Sequence, residues 1–169
     1  FDCEMVDTTR GATIEMKWNA NAGDATVAQG VKSFTSDGVT LGTDVGYNTN
    51  GSSNMLLGFK EGAAYGFDMA LWTGDGAASQ DVDHSLGVTP EFIVACRRDG
   101  TEANRAWHSA LTNDTYSVLW NDPGYGAQAV ASFAATHGSS TFGVDGQHNI
   151  SSETYIAYLW ASINGFSKF

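Results

Sequence analysis

Basic residues are scarce in this chain of 169 residues. Eight Lys and Arg stand against nineteen Asp and Glu, a formal net charge of −11. Phosphate recognition needs clustered cations, so nucleic acid is not an expected partner. The basic pair Arg97-Arg98 is followed at once by Asp99 and Glu102. The acidity therefore reads as surface solvation. Long apolar runs are missing too: the longest, such as 155–161, have strand length, and no membrane insertion is expected. Cysteine is limited to Cys3 and Cys96. An even pair in an extracellular chain is compatible with a disulfide, and two free buried thiols are the equal alternative. There is no initiator Met, and Phe1 reads as the start of a processed chain or of a segment of a larger one.

Catalytic signatures are also lacking. None of His84, His108, His137 and His148 has the H-x-x-x-H or H-E-x-x-H spacing of a zinc site, and there is no G-x-S-x-G elbow or P-loop. Asp83, His84 and Ser85 are consecutive. Neighbours on a strand point to opposite faces, so these three read as a polar strand edge rather than a catalytic set. No enzyme activity is expected. No cofactor is expected either, with calcium the metal to weigh. The stretch "GDGAASQDVD" brings Asp75, Asp81 and Asp83 close in sequence, without the ligand order of an EF-hand, and "NDPGYG" from Asn121 is a second acidic turn. Asp and Asn are also the ordinary residues of turns, where they cap backbone N–H groups, and that reading is preferred. The sequons at Asn50, Asn113 and Asn149 are near chance in so Ser/Thr/Asn-rich a chain.

What is present is glycine, twenty residues of it against two prolines, with Ser, Thr, Asn and Asp between short apolar runs. That pattern predicts many strands and turns. The runs are 14–18, 39–41, 54–59, 67–72, 91–96, 116–120 and 154–160. Phe67, Met69 and Leu71 share one face of their strand, as do Tyr155, Ala157 and Leu159 of theirs. No helical period persists over four turns; 127–133 and its counterpart 25–34 are the places for a short helix. The predicted class is all-β, a two-sheet antiparallel β-sandwich.

The runs repeat with a period of about a hundred residues. Trp18-Asn19 falls on Trp120-Asn121, Val31-Lys32-Ser33-Phe34 on Val130-Ala131-Ser132-Phe133, Leu41-Gly42 on Phe142-Gly143, and Asn48 on Asn149. Phe59 then falls on Trp160, and Gly66-Phe67 on Gly165-Phe166. "MVDTTRG" from Met5 occupies the place of "AWHSALT" from Ala106. Residues 66–164 read as one complete unit, 1–65 as the later part of a preceding one, and 165–169 as the opening strand of a third.

Aromatic rings in polar loops are candidates for sugar binding, because a ring packs on the C–H face of a pyranose while nearby polar groups satisfy its hydroxyls. Tyr47 in "GYNTNGSSN" and Tyr125 with Asp122 in "NDPGYGAQ" are the candidate ligand-binding residues. Trp18, Trp72, Trp107, Trp120 and Trp160 lie in strand-like runs and read as core.

The segments "LWTGDG", "VDHSLGVTPEFIVACRRD", "AWHSAL", "ETYIAYLWA" and "NGFSKF" resemble the repeated modules of bacteriophage tail and fibre-type virion proteins. In that group a strand ending Tyr-Thr-Gly-x-Gly leads to His-x-Leu-Gly-x-x-Pro, an apolar strand and a basic turn. Here Trp72-Thr73-Gly74-Asp75-Gly76 and the stretch from His84 to Pro90 follow that order, with Trp72 in the place of the Tyr and Cys96 before Arg97-Arg98. The resemblance implies a concanavalin A-like jelly roll in an extracellular virion protein, a homo-oligomer or a partner of other virion proteins, with host-surface glycan as a ligand. A stand-alone carbohydrate-binding lectin-like module and a subunit of a cellular filament assembled by strand exchange are the alternatives.

Overall fold

The computed structural model describes residues 3–111, 113, 116–120 and 132–169. Over these the chain is all-β, and every strand pairing is antiparallel. The strands are β1 (Glu4–Val6), β2 (Ile14–Lys17), β3 (Ala25–Thr26), β4 (Val31–Phe34), β5 (Val39–Leu41), β6 (Phe67–Thr73) and β7 (Gln80–Asp83). They continue as β8 (Phe92–Arg97), β9 (Arg105–His108), β10 (Val118–Leu119), β11 (Phe133–His137), β12 (Thr141–Val144) and β13 (Thr154–Trp160). The segment 25–34, a place for a helix by sequence, holds β3 and β4 instead; of 127–133, only Ser132 and Phe133 lie within the described residues.

A five-stranded sheet, β10-β9-β8-β13-β6, forms the centre. β13 lies between β8 and β6, with Tyr158 opposite both Val94 and Met69. Its sequence explains that position. TYIAYLW is apolar on both faces, the composition of a strand covered on both sides. Tyr155, Ala157 and Leu159 face one cluster with Trp72, Ile93, Trp107, Phe133, Phe142 and Val144. That cluster fills the space beneath a second sheet, β11-β12-β7. Ile156, Tyr158 and Trp160 face the other way, into a cluster with Phe67, Val94, Cys96 and Met16. Met5, Met16 and Trp18 bring the sheet β1-β2-β3 onto that side. The sandwich is therefore five strands on three, with a further three-stranded sheet on its outer face. The two-sheet expectation is corrected to this extent, because a central strand apolar on both faces demands a cover on each. β4 and β5 form a separate hairpin.

The sequence motifs are turns of this frame. Gly74 backs onto the chain at Asn149 and Ile150, where an added Cβ would sit 2.2 Å from the Ile150 carbonyl oxygen. Gly76 has φ +74, and its N–H donates to the Asn149 carbonyl. These two contacts account for the Thr-Gly-x-Gly pattern. Leu86 enters the core, and His84 holds the turn before it: its Nδ1 accepts the Leu86 N–H at 3.3 Å, and its Nε2 lies 3.1 Å from the Gly138 carbonyl oxygen. The Ser85 N–H donates to Asp68. His84 and Ser85 serve the backbone, as a polar strand edge does.

Residues aligned by the repeat occupy matching hairpins. β1 pairs with β2 with Met5 opposite Met16, and β9 pairs with β10 with Ala106 opposite Val118. The β4–β5 and β11–β12 hairpins also correspond, and both carry a register irregularity. The correspondence breaks at 54–59. Its counterpart is β13, yet this stretch belongs to none of the strands.

Candidate functional site

Of the sugar-binding candidates, Tyr47 lies in the loop after β5. Its hydroxyl donates to Glu15 Oε2 at 2.6 Å, and its ring covers Gly30, where an added Cβ would sit 2.8 Å from Cε2. Burial and the hydrogen bond to Glu15 raise its phenol well above the ordinary value. The loop is held from within: Asn48 Nδ2 donates to the Gly42 carbonyl, Asn54 Nδ2 to the Tyr47 carbonyl, and Asp44 accepts the Gly46 N–H. Tyr47 thus presents a half-buried ring with its hydroxyl already engaged. Asp122 and Tyr125 lie outside the described residues.

The calcium candidates do not converge. Asp75 accepts the Ala77 N–H and the Asn149 side-chain amide, both at 2.8 Å, and these bonds hold its carboxyl below the ordinary value. Asp81 accepts from Thr136 Oγ1 at 3.0 Å, and Asp83 is exposed. Among the described residues, no three His, Cys, Asp or Glu side chains are grouped to hold a metal. Cys3 and Cys96 are both free. The pairing left open by sequence is not formed, since Cys96 is enclosed in the core on β8 while Cys3 is exposed. Burial pushes the Cys96 thiol up to about 12.

Three arginine sites carry the buried charge. Arg10 is fully enclosed and fully used: Nε meets Asp7 at 2.6 Å, Nη1 meets Asp24 at 2.7 Å, and Nη2 donates to Tyr158 Oη at 2.9 Å and to the Met5 carbonyl. The Tyr158 hydroxyl donates in turn to Asp7 at 2.8 Å, and Arg98 Nε meets Asp24 at 2.8 Å. Burial pulls the Arg10 guanidinium down, yet Tyr158, Asp7 and Asp24 together hold it above its ordinary value. This network pins the outer sheet to β13 and β8. Its Asp24–Arg98 end lines a cleft of about 280 Å³ with Gly23, Asp99, Gly100 and Thr101. Arg97 is satisfied nearer the surface by Asp99 and Glu153, at 2.9 and 2.8 Å.

Arg105, on β9, differs. It is 6% exposed, and its described partner is Gln147 Oε1 at 3.3 Å, with Nε and Nη1 lacking a hydrogen-bond partner. Burial pulls its guanidinium below the ordinary value. Beside it His148 is fully enclosed, stacked 6.2 Å from Phe133, and burial with the Arg105 charge lowers its imidazole to about 3. Sequence reading missed this pair. The available signal is an Arg two residues before Trp107, on the core-facing side of an alternating strand.

The largest surface feature is apolar. Met55, Leu56, Leu57 and Phe59 are 90%, 63%, 71% and 49% exposed, consecutive but for Gly58. The sequence predicts a strand here; the structure leaves the stretch outside all sheets. Only the Phe59 ring is anchored, 5.3 Å from Phe67 and 5.6 Å from Trp160. Those rings belong to an aromatic cluster at one end of the central sheet that continues through Phe92 to Trp120 and Phe169. Phe166 stands 83% exposed at the start of the last segment.

Residues 2–169 match the model of a family described as a domain of unknown function, DUF7483. No curated protein and no solved structure matches the chain.

Proposed function

The chain belongs to the DUF7483 family, and we propose that it is a structural module of a bacteriophage tail or fibre, extracellular on the virion, that assembles with copies of itself. The observation that carries this reading is the stretch 54–59. A run of strand-like apolar residues left unpaired is a template for another chain, and monomeric proteins rarely leave such a run uncovered. Its counterpart β13 shows what the same kind of segment does when partners are supplied: it becomes the central strand of a sheet.

Three further features support the proposal. The motif order resembles that of phage tail and fibre modules. The five-on-three sandwich is compatible with a concanavalin A-like jelly roll built from units 1–65, 66–164 and 165–169. The titratable groups named above are engaged in turns, networks and core packing, as befits a module without enzymatic chemistry. Loops such as that of Tyr47 would be displayed toward host-surface glycans, with the half-buried ring as a platform.

Native mass spectrometry beside light scattering tests the proposal. Chains of 17.9 kDa held in a trimer or a filament are the expected result. A monomer at micromolar concentration would overturn it, and a glycan array would then decide whether the chain acts alone as a lectin.

A further inference from the structure

We infer that residues 54–59 of one copy receive the 165–169 segment of a second copy as an antiparallel neighbour, with Phe59 opposite Phe166. The inference rests on the assembly reading above and names its contact.

The register comes from within the chain. β13 pairs with β6 so that Trp160 faces Phe67, Leu159 faces Asp68, Tyr158 faces Met69 and Ala157 faces Ala70. In the repeat Phe59 holds the place of Trp160, and Phe166 that of Phe67. The same pairing between copies sets Gly58 against Ser167, Leu57 against Lys168 and Leu56 against Phe169. The two donor segments also leave similar turns. Gly66 and Gly165, each just before the Phe, are left-handed at φ +64 and +77, and each turn is closed by an isolated bridge, Gly62 with Phe67 and Ile163 with Ser167.

Position argues for a second copy over the chain's own tail. The sheet order is β8-β13-β6. Phe59 sits on the β6 side of Trp160, against Phe67, whereas Phe169 stacks over Phe92 on the β8 side, 6.4 Å between ring centres. Strand β13 lies between the two, so the tail would have to cross it to reach 54–59 of its own chain. The tail of another copy meets no such obstacle. It turns at Gly165, a residue with open space around it, and carries Lys168 toward a body of net charge −11. The donor and acceptor surfaces differ, so the contact is head-to-tail and propagates unless a ring closes it. Four paired residues bury less than a standard interface, which makes assembly concentration-dependent.

Cysteine cross-linking reads the register directly. In a Cys3→Ser background, one preparation carries Gly58→Cys and another Ser167→Cys, and the two are mixed under mild oxidation. Heterodimers joined at 58 and 167 should exceed those from a Met55→Cys and Ser167→Cys mixture by at least tenfold. A chain carrying both Gly58→Cys and Ser167→Cys should yield linked multimers; a bond closed within a monomer would overturn the inference in favour of the chain's own tail. Assembly by light scattering without the 58–167 preference would overturn the contact and leave the assembly reading standing, while a monomer throughout would remove both. Phe166→Ser keeps the question open to a clean answer if the cysteine variants misfold. It should weaken association at least tenfold with an unchanged melting temperature, and unaltered association would refute the pairing.

Discussion

Replacing His148 by Phe should remove one acid-sensitive term from the stability of the fold. His148 sits in the turn before β13, fully enclosed, with its ring stacked on Phe133. Burial, reinforced by the Arg105 charge, lowers its pKa to about 3, against about 6.5 for an imidazole in the unfolded chain. Between those values the unfolded chain carries a proton that the native one refuses. Stability from this group is therefore fully present above pH ~6.5 and lost as pH falls toward ~3. At about 1.4 kcal/mol per pH unit, moving from pH ~7 to ~4.5 should cost the native protein about 2–3 kcal/mol through His148 alone. Phe keeps a stacked ring and does not titrate. Carboxylates titrate in both proteins and cancel in the comparison. Urea unfolding of both proteins at the two pH values measures the difference between their acid losses. A difference below about 0.5 kcal/mol would show that His148 is hydrated or protonated in the fold, and would refute the reasoning.

Two other arginine changes should act in opposite directions. Arg10→Met strands Asp7, Asp24 and Tyr158 in a buried site and should destabilise by about 3–5 kcal/mol, read as a lower urea midpoint. Arg105→Met removes a buried cation with two unpaired donors, so thermal unfolding should show a melting temperature unchanged or raised. Gly74→Ala forces a Cβ against the Ile150 carbonyl and should cost about 1–3 kcal/mol by chemical unfolding.

Legibility in the sequence followed the range of each interaction. Strand β13 spans 154–160, the bounds its apolar run predicts, and Tyr155, Ala157 and Leu159 share the face that alternation assigns. β5, β6 and β8 also fall on predicted runs. The segment 54–59 shows where that logic ends. It has the composition of β13, but a strand exists only through a partner's hydrogen bonds, and no described strand pairs with it. Tyr47 was legible as a loop aromatic, while its bond to Glu15, 32 positions away, was not. The Arg10 network joins residues up to 151 positions apart, so nothing in the local order announces it.

By itself, then, the sequence determined the all-β class, the placing of most strands, the glycine-bearing turns and the hundred-residue period. Alternation, left-handed turns and side-chain caps act over a few residues and repeat where the residues repeat. Only the tertiary structure decided that the central sheet carries a cover on each face, that Cys3 and Cys96 stay apart, and that Arg10 is neutralised while Arg105 is not. It also decided that one of two matching apolar runs is buried and the other exposed. Those outcomes depend on which distant surfaces meet, because burial and pairing belong to the partners a segment finds and not to the segment alone.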